Sequence, residues 1–259
     1  MSKPPKPFVW YELMTSDVNA ADAFYRKTIG WTSRDWEEPG AQYKIASAGE
    51  KPVAGLMPLP DEYRKAGGRP AWIGYILADD VDTATEKVKA AGGKVHRAPA
   101  DIPNVGRFSV VADPQGAGFM LFTPAPRSGE DGSAESGATP GHVGWRELYT
   151  TDWVKAFDFY AGQFGWTKDE AVDMGPMGTY QLFAAGGPAI GGMMNKPPQI
   201  PMPLWLFYFN VDAADAAMAR VKDNGGQVLN GPMQVPGGSW ILQCMDPQGA
   251  MFALVAPTR

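Results

Sequence analysis

Short apolar runs and amphipathic stretches alternate along the chain, and this pattern predicts strands and helices in a fixed order. Residues 8–14 (FVWYELM) form a mostly apolar run of strand length, and a helical stretch follows at residues 18–30 (VNAADAFYRKTIG). The intervening Ser-Asp pair can cap this helix, and Gly30 can end it. Further strands are predicted near residues 43–48 and 53–57.

The same order then restarts within the first half of the chain. A helix is expected to begin after Asp79 or Asp80 and to end at Gly92 and Gly93. The predicted elements are a strand at 72–77, this helix at 81–91, and strands near 94–97, 108–112 and 118–122. The first half therefore consists of two modules, each with a strand, a helix and two or three further strands.

The second half repeats this pattern. Residues 10–31 (WYELMTSDVNAADAFYRKTIGW) align with residues 145–166 (WRELYTTDWVKAFDFYAGQFGW) at an offset of 145 − 10 = 135, and Asp-Pro-Gln-Gly begins at Asp113 and again at Asp246. Asp, Pro and Gly at the first, second and fourth positions are typical of a type I turn. The chain is thus a predicted tandem duplication of a unit of about 120 residues.

A composition change separates the two copies. Residues 123–141 (TPAPRSGEDGSAESGATPG) contain no large apolar side chain and are rich in Gly, Ser, Ala and Pro. Such composition favours a flexible linker. We therefore expect one domain at 1–124, a linker at 125–140 and a second domain at 141–259.

Composition and charge exclude several classes of protein. The chain has 259 residues, of which 44% are hydrophobic, and a net charge of −5, which disfavours binding to nucleic acid or to an anionic membrane. No apolar window approaches the roughly 18 residues that span a bilayer. The first residues contain no apolar core of a secretory signal, and the single cysteine excludes an internal disulfide. We expect a cytoplasmic protein.

The repeated motifs resemble those of a known family. A strand that leads through Asp into a helix ending in "FY…GW", a second helix ending in Gly-Gly, and a closing "DP-x-G" hairpin occur in both halves. Together they resemble the vicinal oxygen chelate superfamily, and most closely its two-domain glyoxalase, bleomycin-resistance and dioxygenase-like proteins. The resemblance implies an α+β fold in which each half pairs two βαβββ modules into an open, curved, eight-stranded sheet around a cavity.

Metal-using members of that superfamily bind a divalent ion through His, Gln or Glu side chains in this cavity. The resemblance places the first-strand ligand at Trp10 and Trp145, and the last-strand carboxylate at Met120 and Ala253. None of these side chains is an oxygen or imidazole ligand of the kind that such ions prefer. The two histidines, His96 and His142, are not spaced as a ligand pair. We therefore predict no metal ion and no other cofactor.

Two glutamates are the remaining candidates for chemistry. Alternate residues of a strand share a face, so Glu12 should lie on the cavity side with Trp10 and Met14, and Glu147 should do so with Trp145 and Tyr149. A carboxylate in an apolar cavity has a raised pKa unless a partner compensates, which suits a general acid or base. Each glutamate has three possible roles: a structural hydrogen-bonding partner, a ligand-binding group or a catalytic group.

Aromatic and thioether side chains are predicted to line the cavities. They suit both a packed core and a site for a flat ligand. The predicted ligand-binding residues are Trp10, Met14, Tyr75, Met120, Trp145, Tyr149 and Tyr208, with Tyr43 and Tyr180 contributed by neighbouring strands. Trp31 and Trp166, each directly after a helix-ending glycine, are expected to be packing anchors. Cys244 has no basic neighbour in the sequence and is expected to be buried and inert.

Three functions are compatible with these features. The first is a metal-independent protein that binds a small cationic or aromatic molecule in one or both cavities, as bleomycin-resistance proteins sequester their drug. The second is a lyase, isomerase or hydroxylase-like enzyme that uses Glu12 or Glu147 as acid or base, or within an atypical metal site. The third is a protein–protein scaffold. We expect a small-molecule ligand and a monomer or weak homodimer.

Overall fold

The computed structural model describes residues 4–37, 42–126 and 138–259. The predicted linker at 125–140 therefore lies mostly outside the described residues. The first half contains β1 (Phe8–Thr15), α1 (Val18–Ile29), β2 (Thr32–Asp35), β3 (Lys44–Ala48), β4 (Lys51–Pro58), α2 (Asp61–Lys65), β5 (Ala71–Leu77), α3 (Val81–Ala90), β6 (Lys94–Ile102), β7 (Gly106–Ala112) and β8 (Gly118–Pro124).

The second half repeats the order of strands and long helices. Its elements are β9 (Val143–Thr150), α4 (Trp153–Phe164), β10 (Thr167–Asp173), β11 (Thr179–Ala184), β12 (Ala189–Asn195), β13 (Leu204–Asn210), α5 (Ala214–Asp223), β14 (Gln227–Gln234), β15 (Trp240–Met245) and β16 (Met251–Ala256). A single 3₁₀ turn at Gly175–Met177 follows β10.

Capping residues set the helix boundaries as the sequence predicts. Asp17 Oδ1 accepts a hydrogen bond from the Ala20 amide at 2.9 Å, and Gly30 ends α1 with a left-handed φ of 92°. Of the two candidate caps for α3, Asp80 accepts from the Thr83 amide at 2.7 Å. Asp79 instead forms an ion pair with Lys6.

The strands form two eight-stranded sheets with the same order. One sheet runs β2-β3-β4-β1-β5-β8-β7-β6, and the other runs β10-β11-β12-β9-β13-β16-β15-β14. The pairs β1–β4, β5–β8, β9–β12 and β13–β16 are parallel, and hairpins supply the antiparallel pairs. The end strands of each sheet are not neighbours, so both sheets are open. The predicted α+β class and the paired modules are confirmed.

The described residues cluster into two compact units, and each unit draws residues from both halves. The first lies within Met1–Val9, Gly74–Ala134 and Arg146–Trp205. The second lies within Trp10–Ile73, Glu135–Trp145 and Leu206–Arg259. Each unit thus combines most of the second module of one half with most of the first module of the other half.

The repeated tetrapeptide is a turn in both halves. In the first, the Gly116 amide donates to the Asp113 carbonyl at 3.0 Å. The side-chain Oδ1 of Asp113 also accepts hydrogen bonds from the amides of Gln115 and Ala117, at 2.9 and 3.0 Å. Asp246 makes the corresponding three contacts in the second half. The predicted turn is therefore present twice, stabilised by its own aspartate.

The other carboxylate oxygen of each turn aspartate accepts a hydrogen bond from a buried tyrosine. In the first unit, Tyr160 donates to Asp113 Oδ2 at 3.1 Å, and the Trp205 indole donates to the Tyr160 hydroxyl at 3.0 Å. The second unit contains the same buried chain, in which Trp72 donates to Tyr25 at 2.9 Å and Tyr25 donates to Asp246 at 3.0 Å. We call these chains the Asp–Tyr–Trp chains. In each chain, the aspartate comes from one half and the two aromatic residues come from the other.

Burial shifts the pKa values of these groups. Desolvation raises the pKa of the Asp113 and Asp246 carboxyls, although backbone and tyrosine hydrogen bonds act in the opposite direction. Burial, followed by the charge of the neighbouring aspartate, raises the pKa of Tyr25 and Tyr160. Both phenols therefore keep their protons and act as hydrogen-bond donors.

Two tryptophan indoles donate hydrogen bonds to the backbone segments that precede the first strand of each half. Trp31 donates to the Gly141 carbonyl at 2.8 Å, and Trp166 donates to the Lys6 carbonyl at 2.7 Å. Both indoles are almost fully buried. Gly141 has a left-handed φ of 81°, and a Cβ there would lie 2.7 Å from the Ala48 Cβ. The predicted packing role of both tryptophans is confirmed.

Two further sequence expectations concern burial and membranes. Cys244 is buried, and desolvation raises the pKa of its thiol to about 12, as expected for an inert cysteine. Within the three described stretches, no helix is both long enough and apolar enough to cross a bilayer.

Candidate functional site

Strand β1 separates a packing face from a candidate binding face. On the packing face, the Tyr11 ring contacts the Phe207 ring at a centroid distance of 5.0 Å, and Leu13 is fully buried. Because side chains of a strand alternate, Glu12 and Met14 project from the other face. Both lie in the second unit, where Glu12 is 4% exposed and Met14 is half-buried.

Three side chains on that face form a hydrogen-bonded chain. The Trp10 indole donates to the Tyr43 hydroxyl at 3.2 Å, and this hydroxyl donates to Glu12 Oε2 at 3.0 Å. Burial, followed by the charge of Glu12, raises the pKa of Tyr43 well above its ordinary value, so the phenol remains a donor. We call Trp10, Tyr43 and Glu12 the glutamate chain. Sequence reasoning identified its members but not their direct bonding.

A glycine makes room for the glutamate chain. Gly55 on β4 is the register partner of Glu12 on β1. A Cβ at Gly55 would lie 1.8 Å from the Tyr43 hydroxyl oxygen, a distance that no packing adjustment of a few tenths of an ångström can accommodate. Any larger residue there must displace Tyr43 from Glu12.

The first unit repeats part of this arrangement around Glu147. Glu147 is 6% exposed, and its register partner on β12 is Gly192. A Cβ at Gly192 would lie 2.3 Å from the Tyr180 ring, so the tyrosine covers the glycine as Tyr43 covers Gly55. Tyr149, two residues after Glu147, is also buried, and Trp145 is half-buried.

Sequence reasoning overlooked Arg146. This residue corresponds to Tyr11 of the first half, yet it is buried in the first unit with its Nη1 3.4 Å from the Ile190 carbonyl oxygen. Arginine is rarely buried without partners, so an arginine within a predicted strand was the signal that the sequence offered. The substitution already shows that the two first strands are not equivalent.

The remaining predicted residues lie on strands of the second module of each half. Tyr75 and Met120 are buried register partners on β5 and β8 in the first unit. Tyr208 is buried in the second unit, where Gln243 Nε2 donates to its hydroxyl at 3.0 Å. Gln243 is a further polar residue that sequence reasoning missed. Its position facing a tyrosine two strands away emerges only from the strand register.

The side chains at the superfamily's ligand positions do not suit a metal ion. Trp10 presents an indole N–H that is already a donor to Tyr43, and Met120 and Ala253 carry neither oxygen nor nitrogen in their side chains. Across the described residues, no three side chains among His, Cys, Asp and Glu are grouped as a metal site. That the protein works without a metal ion stays a prediction.

Within the described residues, neither histidine belongs to a cluster of metal-ligating side chains. His96 lies on β6, where burial lowers the pKa of its imidazole, and His142 Nδ1 is 3.3 Å from the Pro140 carbonyl oxygen. The structure thus brings Trp10 and Glu12 together with Tyr43, and Tyr75 together with Met120. The binding and catalytic roles of all the predicted residues stay predictions.

Comparison with known proteins identifies the class that this architecture defines. The model of the Glyoxalase/Bleomycin resistance protein/Dioxygenase superfamily matches residues 8–121 and again residues 139–254. Two matches in tandem cover most of the chain. The chain belongs to this superfamily, as its motifs predicted.

Several relatives match along nearly the whole length. CFP32 of Mycobacterium tuberculosis (strain CDC 1551 / Oshkosh), named as a candidate glyoxylase, is 34% identical over 251 residues, covering 96% of this chain and 94% of CFP32. The anthracycline biosynthesis protein DnrV of Streptomyces peucetius is 34% identical over 259 residues, covering 95% of this chain and 91% of DnrV.

Solved structures share the fold at low sequence identity. The Mn(II)-bound glyoxalase from Novosphingobium aromaticivorans has a TM-score of 0.63 at 18% identity and covers 98% of this chain and 82% of its own. The 2,3-dioxygenase LapB from Pseudomonas sp. KL28 has a TM-score of 0.66 at 12% identity, with 98% and 93% covered. At these identities the likeness concerns the fold.

Proposed function

We propose that this glyoxalase-like protein binds a small aromatic molecule, preferably a cationic one, on one or both sheet faces without a metal ion. The observation that carries the proposal is the glutamate chain. At the superfamily's ligand position, Trp10 is an aromatic hydrogen-bond donor, and its donation to Tyr43 helps to hold Glu12 in place. A position occupied in this way favours ligand recognition over metal binding.

The chemistry of the glutamate chain favours a positive ligand. Glu12 is a nearly buried carboxylate flanked by aromatic rings, and a cation is attracted both by the carboxylate and by the faces of Trp and Tyr rings. The net charge of −5 acts in the same direction at longer range. Glu147 gives the second half a similar carboxylate beside Tyr149.

The relatives are consistent with an aromatic ligand. Two of them, DnrV and DauV from Streptomyces, are named for anthracycline biosynthesis, and anthracyclines are planar polycyclic aromatic compounds. A planar polycyclic ligand would suit a face on which indole, phenol and thioether groups lie together.

Isothermal titration calorimetry with matched probes tests the proposal. N-methylquinolinium is a planar aromatic cation, and 1-methylnaphthalene is its neutral counterpart of nearly the same shape. We expect the cation to bind more tightly, and Glu12→Gln or Glu147→Gln to weaken cation binding about tenfold, because a charged partner is lost. Binding of the neutral probe should stay within about twofold.

Glu86→Gln is the matched control, because Glu86 is an exposed residue of α3. This variant should bind both probes as the unchanged protein does. The proposal is wrong if neither probe binds, or if Glu12→Gln and Glu147→Gln both retain the full preference for the cation.

A second candidate function is an enzyme of the superfamily. The nearly buried Glu12, which accepts a hydrogen bond from a phenol, has the environment of an acid or base, and the name of CFP32 refers to a glyoxylase. Turnover of the methylglyoxal–glutathione adduct, with and without added Mn²⁺, Ni²⁺, Zn²⁺ or Fe²⁺, distinguishes the candidates. Turnover that disappears in Glu12→Gln or Glu147→Gln would favour the enzyme.

A further inference from the structure

Three residues of the second half form a row across adjacent strands. Ala253 on β16 is the register partner of Tyr208 on β13 and also of Gln243 on β15. The hydrogen bond from Gln243 Nε2 to the Tyr208 hydroxyl, 3.0 Å long, therefore joins side chains on the strands either side of Ala253. Ala253 itself is fully buried.

This row lies on the face turned away from α1. The residue before Ala253, Phe252, packs its ring against Phe24 and Tyr25 of α1 at centroid distances of 5.7 and 5.3 Å. Side chains alternate along β16, so Ala253 and its two register partners project from the opposite face. On the second sheet, the row thus lies on the face opposite the one that packs against α1.

The first half has different residues in the equivalent row. Met120 on β8 is the register partner of Tyr75 on β5 and of Val110 on β7. The tyrosine is retained, but the valine side chain has no hydrogen-bonding group, and methionine is larger than alanine. The second half thus differs from the first at both positions of the row beside the tyrosine. Gln243 supplies the bridging amide, and the small Ala253 between the two bonded side chains does not obstruct it.

We infer that Tyr208, Gln243 and Ala253 form a hydrogen-bonding subsite that selects ligands carrying a hydroxyl group, whereas the row of Tyr75, Val110 and Met120 accepts apolar rings. This inference rests on the proposed function and assigns different specificities to the two halves. An amide and a phenol that are bonded to each other favour a ligand with a matching polar group. The amide and the phenol offer this ligand hydrogen-bonding groups, whereas the valine and methionine side chains of the first row offer no donor.

Equilibrium dialysis with 2-naphthol and naphthalene tests the inference, because the two probes share a ring system and differ by one hydroxyl group. The unchanged protein should prefer 2-naphthol. Gln243→Val, which installs the residue of the first half, should weaken 2-naphthol binding about five- to tenfold and change naphthalene binding by less than about twofold. Ala253→Met, which installs the other residue of the first row, should have the same effect because the larger side chain must displace the bridging amide.

A variant of the first half that carries the second-half residues is the matched control. The double variant Val110→Gln, Met120→Ala should raise the number of hydroxyl-preferring sites per chain by one. A purely structural role for Gln243 would weaken both probes equally, which would overturn the inference. An unchanged preference in Gln243→Val and Ala253→Met would also overturn it. If neither probe binds the unchanged protein, the proposed function fails together with the inference.

Discussion

The two compact units contain the same kind of hydrogen-bonded chain in their interiors, but the two halves differ at some positions on the sheet faces. Both contain an Asp–Tyr–Trp chain of the same residues with donor–acceptor distances of 2.9 to 3.1 Å. On the faces, however, Met120 of the first half corresponds to Ala253 of the second, and Val110 corresponds to Gln243. The two halves thus repeat the Asp–Tyr–Trp chain but differ at these two positions on the sheet faces.

A second difference concerns the glutamine of each repeated turn. Gln115 Oε1 accepts hydrogen bonds from the Asp152 amide, at 2.7 Å, and from the Thr151 hydroxyl, while its Nε2 donates to the Asp152 carbonyl at 2.8 Å. The Gln248 Oε1 atom is buried and has no hydrogen-bond partner among the residues that the structure describes. The turn of the first half is thus bonded to the start of α4 by contacts that the Oε1 of Gln248 does not reproduce.

Removing a phenol from an Asp–Tyr–Trp chain should have the largest effect. Tyr25→Phe and Tyr160→Phe each leave a buried carboxylate oxygen and a buried indole N–H without this partner. We expect each to lower the free energy of unfolding by about 2–4 kcal/mol, measured by chemical denaturation. Effects that differ by more than about 2 kcal/mol would contradict the equivalence of the two interiors.

Filling the glycine beneath each face tyrosine should have the next largest effect. Gly55→Ala and Gly192→Ala place a Cβ within 1.8 Å of Tyr43 and 2.3 Å of Tyr180. We expect a loss of stability of about 1–3 kcal/mol and, for Gly55→Ala, weaker binding of N-methylquinolinium. Gly162→Ala is the control, since a Cβ at this position in α4 meets nothing within 4 Å and should stabilise the helix by up to about 1 kcal/mol.

The two turn glutamines offer a sharper test of the difference between the units. Gln115→Ala removes three hydrogen bonds and should lower the free energy of unfolding by about 1–2 kcal/mol, with faster amide exchange at the start of α4. Gln248→Ala should change it by less than about 0.5 kcal/mol. Equal losses in the two variants would show that Gln248 makes contacts of the same strength.

The pH dependence of stability should show the smallest effect. Because burial raises the pKa of Asp113 and Asp246, their contribution is fully present below the ordinary aspartate pKa and is lost as the pH rises through the higher, folded-state value. Unfolding midpoints measured from pH 4 upward should therefore fall less steeply in Asp113→Asn and Asp246→Asn than in the unchanged protein. A parallel pH profile would mean that these carboxyls titrate normally.

Much of the fold was predictable because its signals are local. The boundaries of α1 depend on Asp17 and Gly30, which act within one helical turn, and the duplication is visible in the residues themselves. Strand β2 was missed, since its four residues, TSRD, are polar and largely exposed and carry no apolar pattern. Helix α2 was missed for the same reason, as it buries no residue.

The site was predictable only in part, because its contacts depend on strand register. Parity along β1 predicts that Glu12 shares a face with Trp10 and Met14, and a hydrogen-bonded chain through Tyr43 joins Trp10 to Glu12. The bond between Tyr43 and Glu12 joins residues 31 positions apart, and that between Gln243 and Tyr208 spans 35 positions. Neither could be read from spacing, since both require knowing which strands are neighbours. Arg146 was overlooked because its burial follows from packing rather than from local pattern.

Because each compact unit contains residues of both halves, a cut between the halves would separate the parts of both units. Asp113 and the phenol that it anchors lie on opposite sides of residues 127–137, and so do Asp246 and Tyr25. A polypeptide cut within that stretch would give two fragments, each with unsatisfied partners in its interior. The fragments should fold by complementation when mixed, and either one produced alone would have to recruit a second copy of itself.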